Sequence, residues 1–263
     1  MSIKLIVTDL DNTLLRRDKT ISEYTQSVFR RVHERGILLA FATGRPLSDV
    51  TDYAELLSPV ALIISNGSRV YADGELIAEY IIPNDTANAV LKLLIASPAT
   101  FRISVRTSIA YYSSWRDNPN PEAVYSDFST PLNEPIFHFS TRSDDDSLIK
   151  EIAVKYPELD IYKAYNQNLY DFNASNATKP NGVKLLAERY GIQLSDTAAF
   201  GDDSNDIEML QVCGIGVAVS NAIDAAKLAA NYVCGDCDDD GIARWIEENI
   251  LPNMPNAPRG INL

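Results

Sequence analysis

The sequence predicts an α/β protein in which a parallel sheet is interrupted by an inserted α+β unit. Three observations predict it. Short apolar runs rich in β-branched residues, at 3–7, 37–42 and 60–64, alternate with helix-like stretches and each ends in polar residues. From about Pro83 to Asn176 that rhythm gives way to short strand-like runs broken by prolines. From Thr178 onward the alternation of strand and helix resumes.

The first run, residues 3–7, is apolar throughout, as expected of a strand buried on both faces, and it leads into Asp9 and Asp11. Ser22 is placed to cap a helix reaching Arg35, with Val28 and Val32 on one face and Gly36 as its stop. Residues 37–42 make the second strand, which turns at Thr43-Gly44-Arg45-Pro46 into a helix near Ser48. The third strand, 60–64, ends at Ser65-Asn66-Gly67-Ser68. Strand, helix, strand, helix, strand at these lengths implies right-handed crossovers, and polar strand ends then lie where open α/β sheets bind ligands.

A hairpin is expected around Asp73-Gly74. Inside the insertion, strands at 101–105, 109–112, 136–139 and 161–165 mix with helices at 85–96 and 144–156. Beyond it come a helix over 181–190 stopped by Gly191 and a small-residue strand at 197–200 leading into Gly201-Asp-Asp-Ser-Asn-Asp206. A helix at 207–212, a strand at 215–219, a helix at 222–230, an acidic turn at 236–240 and a helix at 242–250 follow. The Pro- and Asn-rich stretch after Pro252 is expected to be loosely ordered. The 263 residues suit two domains: 1–82 with 177–263 as a core, and 83–176 as the insertion.

A net charge of −13 argues against nucleic acid and anionic membranes as partners, because both would be repelled. No apolar stretch approaches the roughly 20 residues of a membrane span, and no signal-peptide pattern precedes the first strand, so a cytoplasmic protein, monomeric or a weak homo-oligomer, is expected. The three cysteines cannot all pair. Cys234-Gly-Asp-Cys237 has redox or half-zinc spacing, but with only His33 and His138 elsewhere and no second cysteine pair, neither use is expected.

Two carboxylates one residue apart at a strand end are costly, because each disfavours ionisation of the other unless a cation or hydrogen-bond donors compensate. Oxygen-only ligands favour a hard ion such as Mg²⁺. With Thr43-Gly44-Arg45, Lys179 and the 201–206 segment, all expected at strand ends or loops of one sheet, they supply the parts for phosphoryl transfer. Those parts are a carboxylate nucleophile, a cation, a hydroxyl and a lysine for phosphate oxygens, and a helix N-terminus facing the anion.

In these segments the chain resembles the haloacid dehalogenase (HAD) superfamily of phosphatases, specifically its Cof-type branch with a type IIB cap. The matching stretches are Asp9-Leu-Asp-Asn-Thr-Leu-Leu15, Thr43-Gly-Arg45, Ser65-Asn-Gly67, Lys179 with Gly182, Gly201-Asp-Asp-Ser-Asn-Asp-Ile-Glu-Met209, Gly216-Val-Ala-Val-Ser-Asn-Ala222 and Asp240-Gly-Ile-Ala243. They cover both ends of the chain, and the insertion sits where that branch carries its cap. The resemblance implies a Rossmann-like HAD core with a parallel sheet and an inserted α+β cap. It implies a Mg²⁺-dependent phosphatase acting on small phosphorylated metabolites, most commonly sugar phosphates, through an aspartyl-phosphate. Pyridoxal phosphate and flavin mononucleotide are alternative substrates, and a phospho-accepting signalling or binding protein without turnover is the rival from another class.

By the same resemblance Asp9 is the nucleophile and Asp11 the general acid and then base. The side chains of Asp9 and Asp202 hold Mg²⁺ together with the backbone carbonyl of Asp11. Thr43, Gly44, Lys179 and Asn205 bind the phosphoryl group, and Asp206 supports Lys179 or the metal's waters. Arg45 and Asn66 face the substrate. Asp202, Asp203 and Asp206 can each reach a metal, and the Gly-Asp-x-x-Asn-Asp register selects Asp202. Two departures stand out: Asn12 replaces the usual glycine, and Lys179-Pro-Asn-Gly182 replaces the usual Lys-Gly pair. In the insertion, Arg102, Arg106, Tyr111, Tyr112, Trp115, Arg116 and Tyr165 are candidates for a polar, aromatic-walled pocket.

Overall fold

The computed structural model describes residues 2–164 and 167–253. Two compact units emerge, one built from the chain up to Ile77 and again from Thr178, the other from Ala78–Ala177. The larger unit begins with β1 (Leu5–Thr8), whose four residues are completely buried. Each large aliphatic side chain there contributes about 1.5–3 kcal/mol before ordering entropy is counted. α1 (Glu23–Glu34) starts at Ser22, whose hydroxyl accepts from the Thr25 N–H, and stops before Gly36 at φ +71°. β2 (Leu38–Ala42), α2 (Thr51–Leu57) and β3 (Ala61–Ile64) complete the first crossovers. β4 (Arg69–Ala72) and β5 (Glu75–Glu79) flank Asp73 and Gly74, both at positive φ, as a tight two-residue hairpin turn requires.

The smaller unit contains α3 (Asn84–Ala96), β6 (Thr100–Thr107), β7 (Tyr111–Ser113), β8 (Ala123–Tyr125), β9 (Ile136–Ser143), α4 (Asp146–Lys155), β10 (Leu159–Lys163) and β11 (Leu169–Ala174). Its six-stranded sheet runs β10-β11-β9-β6-β7-β8 and is antiparallel except for the β7–β8 pair. Ile103, Val105, Phe139 and Phe172 point to one side, where Val90, Leu91 and Leu94 of α3 and Ile149 and Ile152 of α4 close a buried core. The basic and aromatic candidates of this unit pair off. The guanidinium of Arg102 lies 4.2 Å from the Trp115 ring centre, Arg106 4.2 Å from Tyr111, and Arg116 3.7 Å from Tyr125. The Tyr112 hydroxyl instead donates to Glu134. Tyr165 lies outside the described residues, as does the stretch from residue 254 onward.

The chain returns through α5 (Lys179–Arg189), β12 (Thr197–Gly201), α6 (Ile207–Val212), β13 (Ile215–Ala218), α7 (Asp224–Ala229), β14 (Tyr232–Val233) and α8 (Gly241–Asn249). α5 starts two residues earlier than its apolar pattern predicts, because Thr178 caps it and a proline is tolerated in a first helical turn. Three strands, the short β8 and β14 and the six-residue β11, were not expected from the sequence. The eight-stranded sheet has the order β14-β13-β12-β1-β2-β3-β4-β5 and is parallel from β14 through β3. β4 runs antiparallel to β3.

Among the described residues no helix is long and apolar enough to cross a membrane. All three cysteines are free and buried. Burial pushes the Cys234 thiol up to about 12 and the Cys237 thiol up to about 11, so both stay protonated at neutral pH.

Candidate active site

β1 sits between β12 and β2, where the order of strands along the sheet reverses, and Asp9 follows directly on its C-terminal end. The Asp9 N–H donates to the Phe200 carbonyl at 2.9 Å, which fixes it beside the end of β12. Thr43 follows β2, Ser65 follows β3 and Asp202 follows β12, so four adjacent parallel strands deliver their polar ends to one edge of the sheet. That edge is the ligand position of open α/β sheets.

Lys179, the first residue of α5, is 1% exposed, and its ammonium lies 2.8 Å from Asp9 Oδ1 and 2.7 Å from Asp206 Oδ1. Asp206 Oδ2 accepts from the backbone N–H groups of Asp202 at 3.0 Å and Asp203 at 3.2 Å, closing the turn that carries them. Gly201 is required there, because a β-carbon on it would come 2.5 Å from that of Asp206. Asp202 Oδ1 accepts from the Thr13 hydroxyl at 2.9 Å. One carboxylate oxygen each from Asp9, Asp202 and Asp206 lies within 4.8 Å of the others.

Three carboxylates thus share one ammonium. Burial, reinforced by Asp206 and Asp11 and opposed by Lys179, raises the Asp9 carboxyl to about 7. Burial, together with Asp9 and Asp206, raises Asp202 to about 8. Lys179 is pushed up as well: burial favours its neutral form, but Asp206 and Asp9 outweigh it. The site is therefore short of positive charge, and its free donors are carboxylate oxygens. A hard divalent cation of the Mg²⁺ type fits that donor set.

Asp11 stands apart from this cluster. Its Oδ2 accepts from Arg45 Nε at 2.6 Å, and its Oδ1 accepts from Arg45 Nη2 and from Lys19 Nζ, each at 2.7 Å. Burial would raise this carboxyl, but the hydrogen bonds from Arg45 and Lys19 hold it down at about 2. Arg45, expected at the substrate, is thus bonded to Asp11, and its own N–H donates to Thr43 Oγ1 at 3.1 Å. Thr43 is buried, and its hydroxyl hydrogen remains available for an oxyanion. Asn12 adopts φ +57°, the left-handed conformation that asparagine tolerates and that explains how it replaces glycine.

Asn66 links two of these loops. Its N–H donates to the Thr43 carbonyl at 3.0 Å, and its side-chain oxygen accepts from Asn205 Nδ2 at 2.9 Å. Asn205, expected on phosphate, and Asn66, expected on substrate, are therefore joined to each other. Ser65, Asn66 and Gly67 all have positive φ, a strained turn of the kind concentrated at functional sites. At Gly67 (φ +103°) a β-carbon would lie 2.5 Å from the Thr178 carbonyl carbon and oxygen. Gly67→Ala is accordingly expected to displace the cap of α5, and Lys179 with it. It should lower stability by about 2 kcal/mol or more, from the strained φ and the lost cap, as read by the midpoint of urea unfolding.

Two residues of this region escaped sequence reasoning. Thr13 was present in the N-terminal motif but carried no chemical signal of its own until Asp202 was seen against it. Lys19 is eight residues from Asp11 and reaches it only because it adopts φ +66° in the turn after Leu15.

Comparison with known proteins adds the family. Residues 6–246 match the haloacid dehalogenase-like hydrolases. The chain is 28% identical to the 5-amino-6-(5-phospho-D-ribitylamino)uracil phosphatase YcsE of Bacillus subtilis, over 95% of this chain and 97% of that one. It is 30% identical to the HMP-PP phosphatase of Cronobacter sakazakii, over 90% of this chain and 92% of that one. Among solved structures, the HAD subclass IIB sugar phosphatase BT4131 superposes with a TM-score of 0.82 at 24% identity, covering 94% of this chain and 99% of that one, and so shares the fold. With a match spanning residues 6–246 and likeness to named relatives over nearly their whole length, the chain belongs to the haloacid dehalogenase-like hydrolases.

Proposed function

We propose that this hydrolase is a Mg²⁺-dependent phosphatase of small phosphorylated metabolites, working in the cytoplasm through an aspartyl-phosphate on Asp9. The observation that carries the reading is the cluster of Asp9, Asp202 and Asp206, in which the buried ammonium of Lys179 bonds Asp9 and Asp206. Asp9 attacks phosphorus, and a carboxylate needs no base to do so once it is ionised. Lys179 favours that ionised form and balances charge on the phosphoryl group. Thr43, the Gly44 N–H and Asn205 hold phosphate oxygens, for which Asn205 exchanges its bond to Asn66. Asp11 protonates the departing alkoxide and then takes a proton from the water that cleaves the aspartyl-phosphate. When bound by the Asp9 and Asp202 carboxylates and the Asp11 carbonyl, Mg²⁺ supplies the positive charge that lets two anions approach. Arg45 and Asn66 contribute to recognition of the leaving group.

Sugar phosphates are the favoured substrates. Cofactor or nucleotide phosphates such as pyridoxal phosphate and flavin mononucleotide are the second reading, and the relatives from Bacillus and Cronobacter add 5-amino-6-(5-phospho-D-ribitylamino)uracil and HMP-PP to the compounds to be tried. A screen of both classes with kcat/KM as readout separates them. The phosphatase reading itself predicts that the wild type releases phosphate from p-nitrophenyl phosphate with Mg²⁺ and stops when EDTA removes it. Asp11→Asn should then accumulate phosphoprotein, visible by intact-protein mass spectrometry. Rapid turnover in that variant would overturn the role given to Asp11.

The raised carboxyls also fix a pH dependence. Asp9 and Asp202 keep their protons up to about 7 and about 8 when folded but release them near 3.8 when unfolded. Between those values the folded state binds more protons, so the metal-free protein loses stability as pH rises. Mg²⁺ replaces those protons, so its stabilisation should grow over the same window. At about 100-fold over Kd, binding adds about 2.7 kcal/mol, or roughly 5–11 °C in Tm at 2–4 °C per kcal/mol for a chain of this size, with a smaller shift at pH 5 than at pH 8 by calorimetry.

A further inference from the structure

We propose that Thr13 is a positioning residue for the cation: its hydroxyl occupies one oxygen of the Asp202 carboxylate, so that this ligand presents a single oxygen and the site takes Mg²⁺ in preference to Ca²⁺. The proposal rests on the Mg²⁺ reading above. The two ions want different carboxylates. Ca²⁺ collects about six to eight oxygens in a loose shell and readily takes both oxygens of one carboxylate. Mg²⁺ keeps a tight octahedron with several of its waters and takes single oxygens from one or two carboxylates.

The carboxylates of this site are already divided in that way. Asp9 Oδ1 is held by Lys179 at 2.8 Å and Asp202 Oδ1 by Thr13 at 2.9 Å. Among the described residues no hydrogen bond reaches Oδ2 of either. Asp206 has both oxygens engaged, Oδ1 by Lys179 and Oδ2 by the N–H groups of Asp202 and Asp203. Lys179 holds Asp9 with a charge, whereas Asp202 depends on one neutral hydroxyl. The Asp202 backbone is clamped on both sides: its N–H is on Asp206 Oδ2, and its carbonyl accepts from the Ile223 N–H at 2.9 Å. Only rotation of the carboxylate could bring Oδ1 round, and that rotation would strand the hydroxyl of Thr13, a residue only 1% exposed. Thr13 cannot follow it. Its N–H donates to the Leu10 carbonyl at 3.3 Å, and the preceding Asn12, at φ +57°, has its carbonyl on Asn221 Nδ2 at 2.7 Å. Toward an ionised carboxylate a hydroxyl can only donate, so the bond has one direction.

Removing the hydroxyl should let Asp202 turn both oxygens to the cation, which favours Ca²⁺ and loosens the hold on Mg²⁺. The test is calorimetric titration of the metal-stripped protein with MgCl₂ and, separately, with CaCl₂, in the absence of any phosphate ester. The wild type is expected to bind Mg²⁺ more tightly than Ca²⁺. For Thr13→Val the ratio of the Ca²⁺ Kd to the Mg²⁺ Kd should fall by about tenfold or more, the scale on which metal sites respond when a ligand loses its partner. Thr13→Ser, which restores the hydroxyl, should keep the wild-type ratio. An unchanged ratio in Thr13→Val, including one in which both ions weaken by the same factor, would overturn the proposal. So would a wild type without preference for Mg²⁺, or Thr13→Ser behaving like Thr13→Val. A wild type that binds neither ion would instead overturn the Mg²⁺ reading, and the proposal with it. Should Thr13→Val not fold, as judged by near-UV circular dichroism, Thr13→Ala removes the same hydroxyl without placing a methyl group against Asp202 and carries the same expectation.

Discussion

Asp9→Asn should lower phosphate release by on the order of 10⁴-fold or more, the scale on which enzymes lose activity when a nucleophile is removed. The amide is nearly the same size, so the buried site keeps its shape. Lys179 retains Asp206 at 2.7 Å and still has an oxygen to meet at position 9. The folded protein is therefore expected to survive, and near-UV circular dichroism should match the wild type. No phosphoprotein should form under any substrate load. Residual turnover within tenfold of the wild type would remove Asp9 from the chemistry. The variant may be contrasted with Asp11→Asn, in which the adduct forms and persists, because together they divide the reaction into its two halves.

Lys179→Met is the second large effect, and it acts on the fold as well as on turnover. The substitution keeps most of the side-chain volume but strips from Asp9 and Asp206, which are 5% and 0% exposed, the one ammonium that bonds them among the described residues. Breaking a buried ion pair from one side leaves uncompensated charge and typically costs about 3–5 kcal/mol. The loss should appear as a lowered urea midpoint at pH 8 and should shrink toward pH 5, where Asp9, already raised to about 7, takes up a proton in place of the ammonium. Activity should be lost at every pH. A variant as stable as the wild type at pH 8 would show that Asp206 and Asp9 are neutralised by other means.

The parts of this molecule that were legible in the sequence are those where one residue type has few other uses. β1, β2 and β3 are continuous apolar runs that end in polar turns, and their edges were found to within a residue or two. The caps Ser22 and the Asp73-Gly74 turn were readable because their side chains or backbone freedom act locally. β8 and β14, with three and two residues, carry too little pattern to stand out, and they exist only because a neighbouring strand offers its hydrogen bonds. At the site, the carboxylates and Lys179 announced themselves by chemistry and order. What they touch did not. Asn205 and Asn66 bond each other across 139 residues, and Arg45 and Lys19 converge on Asp11, because tertiary packing chooses among several partners of equal chemical merit.

The central place of β1 carries a cost at the ribosome. Leu5 pairs with Leu38 on one side and with Thr197, 192 positions further on, on the other. At typical elongation rates of 5–20 residues per second, about 8–32 s separate the emergence of Leu38 from that of Thr197. During that interval the apolar strand that leads into Asp9 has one unpaired edge, and nascent chains released early would expose a ready template for aggregation. Premature termination anywhere inside the insertion should therefore yield insoluble fragments, whereas the full-length chain seals the edge as soon as β12 arrives.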